Sequence, residues 1–379
     1  MDFSLTKEQE MVRTTVRRFA LAEVKPLAAE IDEQERFPRE TVEKMSRLGI
    51  LGIPFPKEWG GAGGDVISYA IAVEELSRVC AVTGTIVSAH TSLGAAPIYE
   101  FGSDEQKKRW LPPLLGGGKL AAFCLTEPNA GTDAAGQQTR AEPDGDFWVL
   151  NGSKAFITNG GQADVYIVMA MTDPAKKTRG ISAFIVDKDA PGFRVGKIEH
   201  KMGIRGSSTA EILFENCRVP RGNLLGDLGQ GFRIAMTSLD GGRIGIAAQA
   251  LGIAQGALDE TLRYVKERRQ FNKPLSDFQG LQWILADMFS RVESARFLVR
   301  HAAWRKQNKL KVATEAAMAK LAASEAAMEV TTRAVQLHGG YGYTREYPVE
   351  RMMRDAKITE IYEGTSQVMR MVIAANLLA

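Results

Sequence analysis

The chain has 379 residues, of which 45% are apolar and 25% charged, proportions typical of a folded protein with more than one domain. Its 48 lysines and arginines against 45 aspartates and glutamates leave a formal net charge of +3, too near balance for a nucleic-acid-binding protein. The length excludes a small disulfide-stapled fold, and three scattered cysteines without a CxxC pattern (Cys80, Cys124 and Cys217) indicate a reducing compartment.

The first part of the chain, to about residue 120, is predicted to be helical. Thr6 and Gln9 have capping-box spacing ahead of apolar residues at helical intervals, which predicts the start of a helix. The N-terminal residues contain acids and no apolar core, so they predict no secretory signal. The uncharged stretch 79–99 has the length of a membrane span, but its hydroxyl side chains, His90 and Pro97 favour a buried helix. We therefore expect no membrane insertion.

A glycine-rich segment, EWGGAGGD at 58–65, interrupts the helical pattern. It fits either a phosphate-binding loop or a flexible connector. The connector is the better interpretation, because no strand precedes the glycines and no Gly-Lys-Ser/Thr sequence follows them.

From about Ala121 to Val219 the sequence changes to short strand-like segments separated by turn residues. Asn151-Gly152 predicts a tight hairpin between two of them. No helical segment alternates with the strands and no GxGxxG motif opens a βα unit, which argues against a parallel Rossmann sheet. The predicted strands are 121–125, 147–150, 154–158, 165–171, 181–186 and 211–218.

Helical periodicity returns at about Gly231 and continues to the end of the chain. The predicted helices are 243–269, 277–307, 314–337 and 365–378. Four such helices with alanine-rich faces predict a bundle. The sequence therefore predicts a multidomain α+β protein, with an N-terminal helical domain (1–120), a middle antiparallel β-barrel or sandwich domain (121–230) and a C-terminal four-helix bundle (231–379).

The sequence contains no motif typical of a metal site or of a serine hydrolase. The four histidines are far apart, and none belongs to an HExxH or paired-cysteine pattern, so no metal site is predicted. No GxSxG sequence is present.

Two segments are richer in acidic, hydroxyl and glycine residues than packing requires. The first, LTEPNAGTD at 125–133, leaves a strand for a loop that can press backbone amides against a planar ligand. The second, IYEGTSQ at 361–367, places Glu363 before a glycine and a helix capped by Thr365 or Ser366. Glu363 has two interpretations, a solvated carboxylate stabilised by up to about 1 kcal/mol at a helix N-terminus or a general base.

Motifs along almost the whole chain resemble those of the acyl-CoA dehydrogenases, in particular the bacterial short-chain, butyryl-CoA-type members. They occur in family order: LTEPNAGTD at 125–133, FITNGG at 156–161, LDGGRIGIAAQALGIAQ at 239–255, QFNKP at 270–274, QLHGGYGY at 336–343, EYPVERMMRDAKI at 346–358 and IYEGTSQ at 361–367. The resemblance implies the three-domain fold of that family. It also implies FAD-dependent dehydrogenation of a short straight-chain acyl-CoA to the trans-2-enoyl-CoA.

The resemblance places FAD between the middle domain and the C-terminal bundle. It assigns the isoalloxazine contacts to Leu125, Thr126, Phe156 and Thr158, with Thr158 near flavin N5. Many relatives have tryptophan where this chain has Phe156, so a smaller aromatic ring would stack against the flavin.

The phosphate and adenine end of FAD is contacted in the family by two sets of residues. A neighbouring subunit would contribute Arg268, Phe271 and Gln279. The remaining contacts would come from Gln336, Gly340, Thr365 and Gln367. Since one FAD would then need two chains, the resemblance implies an oligomer, a homotetramer built as a dimer of dimers.

The resemblance makes Glu363 the base that removes the pro-R α-proton while hydride leaves the β-carbon for flavin N5. The thioester carbonyl would be polarised by the Glu363 backbone N–H and an FAD ribityl hydroxyl. Closure around the thioester should raise the pKa of the carboxylate toward the working pH. The family's CoA-thioester contacts correspond to Thr132, Asp240, Arg243 and Gly364. Without the family, Asp240 and Arg243 would be an i,i+3 ion pair at a helix start.

Some relatives carry the base on the helix that here contains Gly242, and those chains have no acid at the position of Glu363. This chain has the reverse arrangement, which favours a straight-chain substrate over an isovaleryl-type one. Ile86, bulky and on the predicted pocket helix, favours a short acyl chain.

Electrons would pass to an electron-transfer flavoprotein. Three alternatives stay open: a medium-chain or branched-chain acyl-CoA dehydrogenase, an acyl-CoA oxidase-like flavoprotein that reduces oxygen, and a catalytically silent helical assembly factor. The expected location is the bacterial cytoplasm, or the mitochondrial matrix for a processed eukaryotic chain.

Overall fold

The computed structural model describes residues 4–378, which begin with a helical region. Its helices are α1 (Lys7–Phe19), α2 (Ala28–Gln34), α3 (Arg39–Arg47), α4 (Val66–Ser77), α5 (Ala81–Ser88), α6 (Ala96–Phe101) and α7 (Asp104–Leu115). The predicted capping box is confirmed at the start of α1. The Gln9 backbone N–H donates to Thr6 Oγ1 at 3.2 Å, and the Thr6 N–H donates to Gln9 Oε1 at 3.1 Å.

The uncharged stretch 79–99 forms α5, a π-helical segment (Ala89–Ala95) and the start of α6. It is buried, as the sequence predicts. Burial lowers the pKa of His90 to about 4, so the neutral ring accepts a hydrogen bond at Nδ1 from the Ala121 N–H at 3.0 Å. Within residues 4–378, no helix combines the length and the apolar character that crossing a membrane requires.

The glycine-rich segment joins a short 3-10 turn (Lys57–Trp59) to α4 and is tightly packed. A Cβ atom on Gly61 would lie 2.2 Å from the Phe55 carbonyl oxygen, so only glycine fits there. Asp65 ends the segment and caps α4, because its side chain accepts from the Ser68 N–H at 2.6 Å. The segment is a connector between helices, as its sequence favours, but its close packing does not fit the flexible connector that was predicted.

The middle of the chain forms one eight-stranded sheet with the order β6-β7-β3-β2-β4-β5-β8, in which β1 also pairs with β4. Its strands are β1 (Ala121–Cys124), β2 (Arg140–Asp144), β3 (Phe147–Thr158), β4 (Val165–Met171), β5 (Ile181–Asp187), β6 (Phe193–Ile198), β7 (Thr209–Pro220) and β8 (Leu224–Leu225). Most neighbours are antiparallel, as predicted, whereas β1–β4 and β2–β4 are parallel.

The predicted hairpin at Asn151-Gly152 is wrong. β3 continues through these residues along β7, and its register shifts there, because the pair forms a β-bulge instead of a turn. Asn151 Oδ1 accepts from the Asn216 N–H at 2.8 Å across the strands. Gly152 has a φ of +145°, and a Cβ atom would lie 2.6 Å from Thr139 Oγ1. The chain turns instead just before β3, where Gly145 has a φ of 53°.

The C-terminal region is helical and contains all four predicted helices, plus α11, which was not predicted. Its elements are α8 (Gly231–Glu267), β9 (Arg269–Gln270), β10 (Lys273–Pro274), α9 (Gln279–Gln307), α10 (Ala313–His338), α11 (Val349–Lys357) and α12 (Ser366–Leu377). α10 packs against α8, α9, α11 and α12.

The start predicted for the first of these helices is wrong, because α8 begins at Gly231 and not at 243. Asp240 and Arg243 therefore lie inside a 37-residue helix and not at its first turn. The sequence Gly241-Gly242 suggests a helix end, since glycine destabilises a helix by about 1 kcal/mol relative to alanine. Here the packing around Gly242 requires a residue without a side chain.

The three regions meet at the middle of α8. α4, α5 and the π-helical segment pack against α8, and β1 packs against that π-helical segment. Asn159, directly after β3, joins these parts because its buried Nδ2 donates to the carbonyl oxygens of Ile86 and Ala121 at 3.4 and 3.3 Å.

Candidate active site

The segment between α11 and α12 has an unusual backbone. Glu363 has a φ of 53° and Gly364 a φ of 99°, so two consecutive residues are left-handed. Non-glycine residues adopt this conformation rarely, and such residues concentrate at functional sites. Thr365 then caps α12, since its side chain accepts from the Val368 N–H at 3.2 Å. Of the two predicted caps, Thr365 and Ser366, the first is therefore the cap.

The Glu363 carboxylate lies against the backbone of α8. A Cβ atom built on Gly242 would lie 2.0 Å from Glu363 Oε2 and 3.0 Å from Leu93 Cδ2. Oε2 is buried and has no hydrogen-bond partner in the described part of the chain. Burial raises the pKa of Glu363 to about 7, and the positive charges of Arg243 and Lys320 limit the rise. These features do not fit a solvated carboxylate and are those of a general base that works near neutral pH.

Three of the four residues assigned to the thioester lie beside Glu363. The Arg243 guanidinium donates to Asp240 Oδ1 at 2.8 Å, and its Nε lies 3.5 Å from the Glu363 carbonyl oxygen. Burial raises the pKa of Asp240, although Arg243 opposes the shift. Gly364 adjoins the base in the chain. Thr132 is exposed in the loop after β1, and no hydrogen bond joins it to the other three in residues 4–378.

A buried chain of hydrogen bonds supports the residue before Glu363. The Tyr362 hydroxyl donates to Gln249 Oε1, and Gln249 Nε2 donates to Thr85 Oγ1 at 2.7 Å. These bonds tie the segment to α8 and α5. Neither Gln249 nor Thr85 is among the site residues predicted from the sequence. The available signal was a single amide within the otherwise apolar run IAAQALGIA at 246–254.

The residues assigned to the flavin ring lie at the ends of two strands. Leu125 and Thr126 follow β1, whereas Phe156 and Thr158 belong to the end of β3. The Ala155 N–H donates to the Thr126 carbonyl oxygen at 2.8 Å, so the two strand ends are adjacent. Phe156 is 64% exposed and has a φ of 57°, an unusual state for an aromatic residue in a strand.

A fully buried lysine, Lys154, holds the loop that contains Leu125 and Thr126. Its Nζ donates to the Leu125 carbonyl oxygen at 3.1 Å and to Glu127 Oε1 at 2.8 Å. Glu127 in turn accepts from the Gln138 and Thr139 backbone N–H groups at 2.6 and 3.0 Å. Because these polar groups are mutually satisfied, the loop has a defined shape. The pair of Lys154 and Glu127 is not among the site residues predicted from the sequence.

Arg268, Gln336 and Gly340 line one cavity of about 820 Å³. The Arg268 guanidinium lies 5.4 Å from the centre of the Tyr341 ring, which also borders the cavity. A Cβ atom on Gly340 would meet nothing within 4 Å, so open space adjoins its backbone. The structure thus groups Gln336 and Gly340 with Arg268, although the resemblance assigned them to different sets.

The remaining residues assigned to the cofactor do not line this cavity. Phe271, between β9 and β10, is 88% exposed with a φ of 50°. Gln279, the first residue of α9, is also exposed. Thr365 and Gln367 lie next to Glu363 at the start of α12. Of the residues assigned to the phosphate and adenine end, two therefore adjoin Glu363 and three line the cavity, whereas Phe271 and Gln279 follow Arg268 in the chain.

Comparisons with known proteins cover the whole chain. Residues 6–118, 122–217 and 229–378 match the families described as acyl-CoA dehydrogenase N-terminal, middle and C-terminal domain, respectively. The short-chain specific acyl-CoA dehydrogenase of Clostridium acetobutylicum is 62% identical over 377 residues, with 100% of both chains covered.

Solved structures agree with these matches. Butyryl-CoA dehydrogenase from Megasphaera elsdenii has a TM-score of 0.99 and 51% identity, with 100% of both chains covered. A chain from structural work on the electron transferring flavoprotein of Acidaminococcus fermentans and flavin-based electron bifurcation also has a TM-score of 0.99, with 56% identity and 100% of both chains covered.

Proposed function

The chain belongs to the acyl-CoA dehydrogenase family, and from this premise we propose that it oxidises a short straight-chain acyl-CoA of the butyryl-CoA type to the trans-2-enoyl-CoA. The observation that carries the proposal is the buried carboxylate of Glu363, whose Oε2 has no hydrogen-bond partner among the described residues and whose pKa is about 7. A carboxylate in this state is a far stronger base than a solvated one.

The family is FAD-dependent, and the residues present suit that cofactor. The exposed Phe156 and the adjacent Thr126 offer an aromatic face and polar backbone to a planar ring. Arg268 and the open backbone of Gly340 offer a cation and close approach to phosphates. We assign the ring to Leu125, Thr126, Phe156 and Thr158. We assign the phosphate and adenine end to Arg268, Phe271, Gln279, Gln336, Gly340, Thr365 and Gln367. When bound, FAD supplies the acceptor for the hydride from the β-carbon.

Glu363 takes the α-proton of the acyl chain. Its Oε2 has no hydrogen bond to break before it accepts the proton, and Gly242 leaves it room against α8. The α-carbon is a weak acid, so the base must be held at the reacting atom in a water-poor site. The left-handed backbone at Glu363 and Gly364 fixes the direction in which the Glu363 carboxylate points. Arg243, Asp240, Gly364 and Thr132 are the proposed contacts of the CoA thioester.

We expect kcat/KM for butyryl-CoA to rise with pH through an apparent pKa of about 7, because only ionised Glu363 can accept the α-proton. The folded protein raises this pKa from its ordinary value of 4.5, so activity should fall about tenfold per pH unit below it. The measurement is a profile from about pH 5.5 to about pH 8.5 with an artificial electron acceptor, with flavin content followed by absorbance at each pH. A flat profile over this range would contradict the assignment.

The substrate class is tested with an artificial acceptor on straight-chain acyl-CoA substrates from C4 to C12 and on isovaleryl-CoA. We expect kcat/KM to be highest at C4, because a short-chain specific acyl-CoA dehydrogenase at 62% identity and a butyryl-CoA dehydrogenase at 51% identity both match the chain over its full length. A maximum at C8 or longer would make the chain a medium-chain enzyme. A maximum with isovaleryl-CoA would make it a branched-chain one, and no turnover at any length would favour an assembly factor.

We propose an electron-transfer flavoprotein as the electron acceptor, which the match to the Acidaminococcus fermentans chain supports. Stopped-flow mixing of the substrate-reduced enzyme with oxygen, and separately with an electron-transfer flavoprotein, distinguishes the two acceptors. Rapid reoxidation by oxygen alone would favour the oxidase alternative.

We also propose a homotetramer. Aromatic side chains on α9 and before it are exposed, which supports their burial against other subunits: Trp283 is 64%, Phe289 56% and Phe271 88% exposed.

The three cysteines are free and buried. This state suits the reducing bacterial cytoplasm, or the mitochondrial matrix in a eukaryote.

A further inference from the structure

Lys320 is a fully buried lysine in the alanine-rich helix α10. Its Nζ donates to the carbonyl oxygen of Gly364 at 2.7 Å. The other fully buried lysine, Lys154, has a carboxylate partner, since Glu127 lies 2.8 Å away. Among the ion pairs of residues 4–378, Lys320 has no such partner. A backbone carbonyl is therefore the group that its ammonium meets.

A buried ammonium destabilises the folded state unless other interactions compensate for its lost hydration. Burial lowers the pKa of Lys320 to about 8, and the negative charge of Glu363 limits the fall. The side chain is therefore mainly protonated at neutral pH. Methionine or leucine would fill the same space without this cost, so packing alone does not explain a lysine at this position.

Lys320 binds the carbonyl oxygen of Gly364, the residue that comes directly after the strained Glu363. Glu363 and Gly364 have φ values of 53° and 99°, and a left-handed backbone persists only where its surroundings hold it. Arg243 approaches the Glu363 carbonyl oxygen from α8 at 3.5 Å, and Lys320 donates to the Gly364 carbonyl oxygen from α10 at 2.7 Å. Two cations from two helices thus meet two consecutive carbonyls, and the contact from Lys320 is the shorter one.

We propose that Lys320 is a positioning residue for the base, whose ammonium clamps the Gly364 carbonyl and so keeps the Glu363 carboxylate directed at the space beside Gly242. This inference rests on the proposed function of Glu363. Lys320 acts through the backbone of the segment 363–364.

The charge of Lys320 also affects the base. The groups that influence Lys320 are Glu363, Arg243 from α8 and Glu360 from the turn before Glu363. Arg243 is itself paired with Asp240. Since Lys320 and Arg243 both lower the pKa of Glu363, loss of the Lys320 charge should move the acidic limb of the pH profile upward.

Three substitutions separate the hydrogen bond from the charge. Lys320→Met removes both, Lys320→Gln keeps a donor without the charge, and Lys320→Arg keeps both. Thr331→Val is the control in the same helix, because Thr331 is fully buried but its hydroxyl donates only within α10, to the Ala327 carbonyl at 2.7 Å.

The first measurement is amide hydrogen exchange of the peptide that spans 361–368, which does not depend on turnover. We expect Lys320→Met to speed exchange there by about tenfold, because the clamped backbone opens more often. Lys320→Arg and Thr331→Val should exchange like the wild type. This measurement tests the clamp even if the wild type does not oxidise butyryl-CoA, an outcome that would refute only the proposed function.

The second measurement is steady-state kinetics with flavin content and thermal stability recorded for each variant. We expect Lys320→Met to bind FAD normally and to lose about 10- to 100-fold in kcat with less than about a threefold change in KM, as for a displaced catalytic group. Lys320→Gln should recover part of kcat, but the acidic limb of its pH profile should stay shifted to higher pH. Lys320→Arg should restore both kcat and the wild-type position of that limb.

The proposal fails if Lys320→Met has wild-type kcat, exchange and pH profile. It also fails if its activity falls only in step with lost FAD or lowered melting temperature, because that pattern indicates a purely structural residue. If none of the three variants folds while Thr331→Val does, Lys320 is likewise structural and the clamp is refuted.

Discussion

Glu363→Gln should remain folded and yellow but oxidise butyryl-CoA about 10³- to 10⁴-fold more slowly than the wild type. Glutamine has nearly the shape of glutamate, so the left-handed segment and its neighbours can stay in place. It cannot accept a proton at neutral pH, however, and Oε2 is the carboxylate oxygen that is buried against Gly242 without a hydrogen-bond partner in residues 4–378. The measurement is kcat with an artificial acceptor, normalised to bound flavin.

Glu325→Gln is a matched control for this substitution. Glu325 is a glutamate on α10 that pairs with Arg370 at 2.5 Å at the surface, with 45% of its side chain exposed. Its replacement should leave kcat within about twofold of the wild type, since exposed ion pairs contribute little to stability. If Glu363→Gln kept more than a tenth of wild-type turnover, another group would have to be the base.

Gly242→Ala should lower kcat/KM for butyryl-CoA by about 10²-fold, although alanine is the better helix former. The added methyl group would lie 2.0 Å from Glu363 Oε2 and 3.0 Å from Leu93 Cδ2, so the carboxylate would have to leave its place. We expect FAD binding to change little, because the collision is with the base. The measurement is kcat/KM together with flavin content and melting temperature.

The neighbouring residue offers a control with the same change in helix propensity. A Cβ atom on Gly241 would lie 3.0 Å from Nζ of Lys306, the mobile end of a long side chain. Gly241→Ala should therefore keep most of the activity. Equal losses in Gly241→Ala and Gly242→Ala would show that alanine disturbs α8 generally, and the close contact with Glu363 would lose its significance.

The same contact gives a physical reason for the two alternative positions of the base that the resemblance implies. A side chain at position 242 and the carboxylate of Glu363 require the same space. A carboxylate on α8 would therefore exclude an acid at 363, and glycine at 242 makes room for one. This supports the choice of Glu363 as the base in this chain.

Features that depend on neighbouring residues could be predicted well from the sequence. The cap at Thr6 and the cap at Thr365 each involve a hydrogen bond three residues along the chain. The helices α9 and α10 begin and end within two residues of their predicted bounds, because their apolar periodicity is continuous. The motifs that carry the family resemblance are likewise local strings of residues.

Features that depend on distant partners could not be predicted in this way. Asn-Gly favours a hairpin turn, yet Asn151 lies in a bulge because Asn216 of β7 binds its side chain. Gly-Gly favours a helix end, yet α8 continues through Gly242, and the glycine instead leaves room for the Glu363 carboxylate. In both places the structure departs from the local preference.

The amino-acid sequence was enough to identify the family, the succession of helices, strands and helices, and one candidate acid, Glu363. Whether that acid is solvated or buried depends on the fold, since Gly242 and Arg243 of α8 and Lys320 of α10 come to it from far along the chain. The proton affinity of a carboxylate depends on lost hydration and on nearby charges, and both are set by residues that only the folded chain brings together.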